Sequence, residues 1–206
     1  MASRKQNGFS MLELMITLSI ALIMCGVTFV YMWPMLYENH VDSAYDTTLM
    51  ALRNTRNLAI TQNQEFYVTF NPGGFAAGTI LIQNQPPLVA GVAPPLQQVI
   101  TYTIPSDVQF AVQAGFPAAT PDGFGTGIVP IDFGQGLGGG SLNFVVFWPD
   151  GSSQDNLGNY NNGIIYITRP NDSAYSSRAI TVWGATGRIR GWRLVQQAGA
   201  WTWVQQ

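Results

Sequence analysis

The sequence predicts an α+β protein, a long N-terminal transmembrane helix packed on an antiparallel β-sheet domain. Three observations predict it. Residues 9–33 are almost wholly apolar. Residues 37–58 repeat apolar side chains at three- and four-residue spacing, the mark of a helix with one buried stripe. After residue 64 the pattern changes to period two, with turn residues between the runs, as in half-buried strands.

Composition supports this division. The chain has 206 residues, 47% of them apolar, enough for one ordinary domain beyond a membrane segment. Only 10% are charged, and Gly, Pro, Asn, Gln, Ser and Thr fill the surface positions that Lys and Glu usually take, a profile that suits an exported β-rich domain. The lone Cys25 lies in the apolar run, so no intramolecular disulfide forms and stability must come from packing. The formal charge is −2, yet after residue 149 five arginines face three acids, which makes the C-terminal part locally basic.

The first element is a basic leader, residues 1–8, with Arg4 and Lys5. The apolar run that follows, 9–33, holds 25 residues, and at about 1.5 Å rise per residue it spans a hydrocarbon core of roughly 30 Å. A secretory signal would be shorter and end at small residues, so the segment is expected to stay in the mature protein. The basic leader holds the N-terminus in the cytoplasm and places the rest outside, as a single-pass protein in contact with lipid.

Glu13 resists a plain anchor reading. An ionisable group one turn into an apolar helix costs about 2.5 kcal/mol or more on insertion scales, so it either snorkels to the interface or has a partner. Its neighbours favour a partner. Lys5-Gln6-Asn7-Gly8 followed by Phe9-Ser10-Met11-Leu12-Glu13-Leu14 closely resembles the prepilin leader of type IV pilin-like proteins. The resemblance implies that a dedicated prepilin peptidase cuts after Gly8 and methylates the new N-terminal Phe9, leaving Glu13 as the fifth residue. The freed amine of Phe9 in one subunit is then a cation at membrane depth that a neighbour's Glu13 neutralises during assembly.

Residues 34–63 are read as the extracytoplasmic continuation of the helix. Tyr37, Val41, Ala44, Tyr45, Thr48, Leu49, Leu52 and Leu58 form the stripe, with Asp42, Asp46, Arg53 and Arg56 between them. Pro34 removes one backbone hydrogen bond, so a kink or local unwinding is expected there.

Residues 64–206 are read as the β-rich domain. Strands are expected at 65–70, 79–83, 97–104, 108–112, 127–133, 141–148, 163–168, 178–183, 188–195 and 200–204, in a meander-like antiparallel sheet. Pro149-Asp150-Gly151 is a turn signal, and the glycines of 134–140 make a flexible loop.

A strand ending Phe147-Trp148-Pro149-Asp150-Gly151, an Asn/Gly-rich excursion, two short strands and then Gly187-Arg188-Ile189-Arg190 resemble the C-terminal region of the GspH/FimT pseudopilins. That resemblance implies a pilin-like fold, a long helix on two sheets. It also implies a minor subunit of a type II secretion pseudopilus or of a type IV pilus.

In an extended 187–193 segment, alternation puts Arg188, Arg190 and Trp192 on one face and Arg193 on the other. Two guanidinium groups beside an aromatic suit phosphate contact and base stacking. Some FimT proteins use a Gly-Arg-x-Arg element to bind DNA, so the resemblance makes Gly187, Arg188 and Arg190, with Trp192 and Arg193, a candidate DNA-binding set. The bland reading is a solvated edge of the last hairpin that discourages aggregation, and the acidity of the exterior domain favours it. Trp192, Trp201 and Trp203 read as hairpin packing before they read as a ligand platform. The loop 155–162 carries one carboxylate, Asp155, and departs from the spacing of a calcium loop, so no metal site is expected. His40 is read as an exposed helix residue, and the sequence holds no GxSxG, HExxH or Walker pattern; neither enzyme activity nor a cofactor is expected.

The function expected is that of a minor pseudopilin-like subunit of a type II secretion system or type IV pilus. It is processed by prepilin peptidase and assembled near the tip with other pilin or pseudopilin subunits, for protein secretion. It belongs in the bacterial inner (plasma) membrane, with its C-terminal domain outside the cytoplasm. The alternative is a DNA-binding minor pilin used in natural transformation, and a third reading is an anchored sugar- or surface-binding β domain that uses its aromatics.

Overall fold

Alternating and helical apolar periods resolve into one helix and ten strands in the computed structural model, which describes residues 10–71, 73–86, 95–135, 142–155, 158–170 and 177–206. The expected leader, Phe9, the side chain of Tyr37 and positions 136–140 of the glycine loop lie outside those residues. Helix α1 (Met11–Gln62) has 52 residues. The chain divides into two compact units, Met1–Asn39 and His40–Gln206.

In the first unit the helix is exposed and apolar on every face, from Met11 through Val30. Its hydroxyl groups are answered internally: Thr17 donates to the Leu14 carbonyl at 3.0 Å, Ser19 to Met15 at 2.8 Å and Thr28 to Met24 at 2.8 Å. The helical assignment runs through Pro34 without interruption, so the expected unwinding is not found. A proline removes only one backbone donor, and the turns on either side keep theirs.

In the second unit the helix buries Val41, Ala44, Tyr45, Thr48, Ala51, Leu52, Thr55 and Ala59. The stripe is richer in small residues than the large apolar side chains alone suggested, and Leu49 and Leu58 only flank it. Alanines let the helix axis approach the strands closely. Thr48 and Thr55 enter the core because each hydroxyl donates to the carbonyl four residues back, at 2.8 and 2.7 Å, so no donor is left unpaired.

Two antiparallel sheets replace the single meander. Five strands form the first: β1 (Phe66–Phe70), β2 (Thr79–Asn84), β3 (Gln97–Thr103), β5 (Phe144–Phe147) and β6 (Ser153–Gln154), in the order β3-β2-β1-β5-β6. The second holds β4 (Ile131–Gln135), β7 (Asn162–Ile167), β8 (Arg178–Trp183), β9 (Arg188–Gln197) and β10 (Ala200–Gln205), in the order β10-β9-β8-β7-β4. One core joins the helix stripe to one face of each sheet, through Phe66, Val68 and Phe70, Ile80 and Ile82, Val145 and Phe147, and Ile165, Ile167, Ile180 and Val182. Phe70 anchors it, stacked on Phe133 at 6.2 Å and edge-on to Phe110 at 5.5 Å.

The expected strand at 108–112 is corrected. Only Gln109 bridges, to Thr168, while Val108 and Phe110 turn into the core. A segment that plugs a core edge with alternate side chains has the same period as a strand but no neighbour to ladder with. The expected strand at 127–133 starts only at Ile131, because Pro130 has no N–H to give and its carbonyl accepts from the Tyr166 amide at 2.8 Å.

β9 and β10 close through Ala198 (φ 49) and Gly199 (φ 84), both left-handed, as a two-residue hairpin of this twist requires. Alanine is the poorer fit there. Ala198→Gly is expected to raise the stability of the detergent-extracted chain by about 0.5–1 kcal/mol, read as a higher midpoint in thermal unfolding.

Candidate functional site

Glu13, in the first turn of α1, is the one charged side chain between residues 11 and 37. It is exposed, as are the apolar side chains around it, and it has no hydrogen-bond partner among the described residues. A helix apolar all round needs lipid or other helices against it, and a carboxylate in that setting needs a cation from elsewhere. Met11–Val30 is long and apolar enough to cross a membrane by length and composition.

The C-terminal candidates sit on β9. Register pairs Trp183 with Arg188, Thr181 with Arg190 and Ala179 with Trp192, so Arg188, Arg190 and Trp192 do share a sheet face, as alternation predicts. That face is not open along its length. The 105–130 segment covers part of it, placing Phe116 edge-on to Trp203 at 5.3 Å and Phe124 against Trp183 at 4.9 Å. Trp192 and Trp203 pack on Ile164, Tyr166 and Ala179. Burial pushes the Tyr166 phenol well up from its ordinary range.

The covering segment carries the residue that organises the site. Asp122 lies in a 3-10 turn, Pro121–Gly123, with φ 55, a conformation Asp tolerates better than most residues. Its carboxylate accepts from Arg190 Nη1 at 2.6 Å, Thr181 Oγ1 at 2.6 Å and Trp183 Nε1 at 3.1 Å. Trp192 Nε1 donates in turn to Thr181 Oγ1 at 3.0 Å. Asp122 keeps 6% of its side-chain exposure and Arg190 23%, and the Arg190 guanidinium lies 5.4 Å from the Trp183 ring centre. Arg190 is therefore held inward, while Arg188 stays exposed.

The opposite face meets the helix. Arg193 pairs in register with Arg178, which is fully buried and ion-paired to Asp42 at 2.6 Å. Gly191 leaves the space that the Tyr45 hydroxyl fills, since a Cβ there would lie 1.6 Å from it. Burial raises the Tyr45 phenol, partly offset by the nearby Arg53 charge.

Gly187 has a packing reason of its own. At φ 59, its missing Cβ would stand 1.9 Å from the Gly151 carbonyl oxygen and 2.8 Å from Arg56 Nε. The gap lets Arg56 donate to the carbonyls of Gly151 at 2.9 Å and Thr186 at 3.1 Å. The turn signal at residue 151 and the glycine of Gly-Arg-x-Arg thus meet around one helix arginine.

The remaining candidates resolve locally. Asp155 accepts from the Asn159 amide at 2.7 Å and its Nδ2 at 3.0 Å, closing its own loop, of which Asn156 and Leu157 lie outside the described residues. Exposed His40 meets Asp107 at 2.9 Å, and Asp107 also meets Arg169 at 3.5 Å. Among the described residues no group of three His, Cys, Asp or Glu is placed to hold a metal.

The family described as the prokaryotic N-terminal methylation motif matches residues 3–29. The chain carries that motif. It spans residues 3–8 of the expected leader, with Gly8, then Phe9, Glu13 and most of the apolar run. No curated protein matches the chain significantly. Among solved structures, the type IV minor pilin FimU of Pseudomonas aeruginosa (strain PAO1) is similar at 11% identity and TM-score 0.45, over 82% of this chain and 97% of that one. The motif therefore speaks for the N-terminal segment; the geometry above speaks for the rest.

Reading the residues in order missed Asp122, Asp42 and the Arg56 clamp. The one available signal for Asp122 was local: Thr120-Pro121-Asp122-Gly123 is a turn sequence as good as Pro149-Asp150-Gly151.

Proposed function

We propose that the chain is a minor pilin-like subunit, held in the bacterial inner membrane by residues 9–33 with the second unit outside the cytoplasm. A prepilin peptidase cuts it after Gly8 and methylates Phe9. Glu13 then pairs with the freed amine of a neighbouring subunit as the chain joins a pilus or pseudopilus. Its work is structural rather than catalytic. The observation that carries the reading is the methylation motif at 3–29 joined to a helical segment, Met11–Val30, that is apolar on every face and whose one charge is Glu13. A plain anchor would gain nothing from that carboxylate, whereas a stacking subunit gains charge neutralisation and register.

Mass spectrometry of the protein extracted from membranes should show a mature chain beginning at methylated Phe9. An intact Met1, or a start beyond residue 30, would overturn the reading.

Within this role, service in protein secretion is placed ahead of DNA uptake through the Gly187-Arg188-x-Arg190 element. The ion pair of Arg190 with Asp122 favours that order, since it leaves Arg188 as the one exposed guanidinium of the two.

A further inference from the structure

The arginines of the second unit are unevenly answered by acids. Arg169, Arg178 and Arg190 meet Asp107, Asp42 and Asp122. Arg53, Arg56 and Arg188 make no ion pair among the described residues. All three line one open cavity of about 380 Å³, together with Asn57 and Thr186, and none of its lining residues is acidic. The adjoining groove, which shares Arg53 and Asn57, carries one carboxylate, Asp46.

Two elements build this cavity. Arg53 and Arg56 come from α1, and Arg188 comes from the start of β9, brought beside the helix by the turn at Gly187. The carbonyls of Gly151 and Thr186 fix Arg56 at 2.9 and 3.1 Å, which orients its fork without neutralising it. Like charges gathered in a concavity repel one another, and that arrangement is stabilised when an anion enters.

We infer that this cavity binds a phosphate-type oxyanion. Guanidinium groups bond such oxygens through paired N–H donors, and one fork held in place beforehand lowers the ordering cost. Three cations call for more than a single carboxylate charge, so a phosphate carrying two or more charges fits best. Arg188 keeps its place on the strand face it shares with Arg190 and lines the cavity from the first position of β9; the site needs neither processing at Gly8 nor assembly.

The test uses the full chain in detergent. Pyrophosphate is titrated at constant ionic strength set with chloride, and the thermal midpoint is followed by tryptophan fluorescence. A saturable rise is expected, with affinity at least about tenfold weaker after Arg53→Gln combined with Arg188→Gln. Both side chains are exposed, so that variant should unfold near the wild-type midpoint without anion, and the single variants serve as a check on folding. A short DNA duplex that displaces pyrophosphate would show that singly charged phosphodiesters suffice and would overturn the preference for a multiply charged group; failure to displace supports a free oligophosphate. A rise matched by chloride alone, or unchanged in the double variant, overturns the site and leaves the processing reading intact.

Discussion

Gly187→Ala is expected to lower the unfolding midpoint of the detergent-extracted chain by on the order of 10 °C, corresponding to about 3–4 kcal/mol for a domain of this size. Two effects add. A non-glycine residue at φ 59 costs about 1–2 kcal/mol. The new Cβ also meets the Gly151 carbonyl oxygen at 1.9 Å and Arg56 Nε at 2.8 Å. The oxygen is backbone and cannot rotate away. It belongs to Gly151, itself at φ 81 and hemmed in by Ile60 and Arg56. Relief must therefore come from moving the turn, which breaks the Arg56 hydrogen bonds at a further cost of about 1 kcal/mol each. Gly199→Ala is the control. It has φ 84 but open space where a Cβ would go, so it isolates the conformational part. If near-ultraviolet circular dichroism gives both variants the same midpoint, the close approach at Gly187 is not what its glycine supplies.

That comparison bears on what a sequence can show. The Gly-Arg-x-Arg element was legible as residue types, and period-two alternation placed Arg188, Arg190 and Trp192 on one face, where the register of β8 and β9 puts them. The strands at 178–183 and 188–195 were legible from their β-branched and aromatic residues between turn signals, although burial does not alternate along β8, where five consecutive residues are buried. The N-terminal helix was legible from apolar length, and Glu13 stood out because a charge there is costly.

What the residues did not disclose lies in contacts between distant segments. Asp122 reaches Arg190 across 68 positions, and Arg56 reaches Gly151 across 95; no local period encodes either. Val108 and Phe110 read as strand because a plug and a ladder place side chains with the same alternation. The two-sheet arrangement was available only through resemblance, since strand periods do not say which strand sits beside which. Asp42 and Arg178 show the same limit. An acid on a helix surface and an arginine opening a strand look like solvent-facing groups until the fold buries the guanidinium completely and seats it 2.6 Å from the carboxylate.

Asp122→Ala is expected to cost about 3–5 kcal/mol, the range for removing one partner of a buried ion pair. Three donors lose their acceptor at once, Arg190, Thr181 and Trp183, and alanine fits φ 55 less well than aspartate does. Asp122→Asn keeps the backbone preference and some hydrogen bonding while removing the charge, so it should fall between wild type and Asp122→Ala. Arg190→Met strands the carboxylate and should cost a similar amount. Combining Asp122→Asn with Arg190→Met should cost clearly less than the two singles together, because neither charge is then left buried alone. Additive losses in thermal unfolding would show that the pair is not coupled. The same series weighs the nucleic-acid reading of β9. If Arg190 contacts phosphate, Asp122→Asn releases it, and salt-sensitive DNA binding by the detergent-solubilised chain should strengthen. If Arg190 serves to clamp the covering segment onto the sheet, Asp122→Asn should loosen the environment of Trp183 and Trp192 and leave DNA binding unchanged. The inward geometry of the pair, with Asp122 at 6% exposure, favours the clamp.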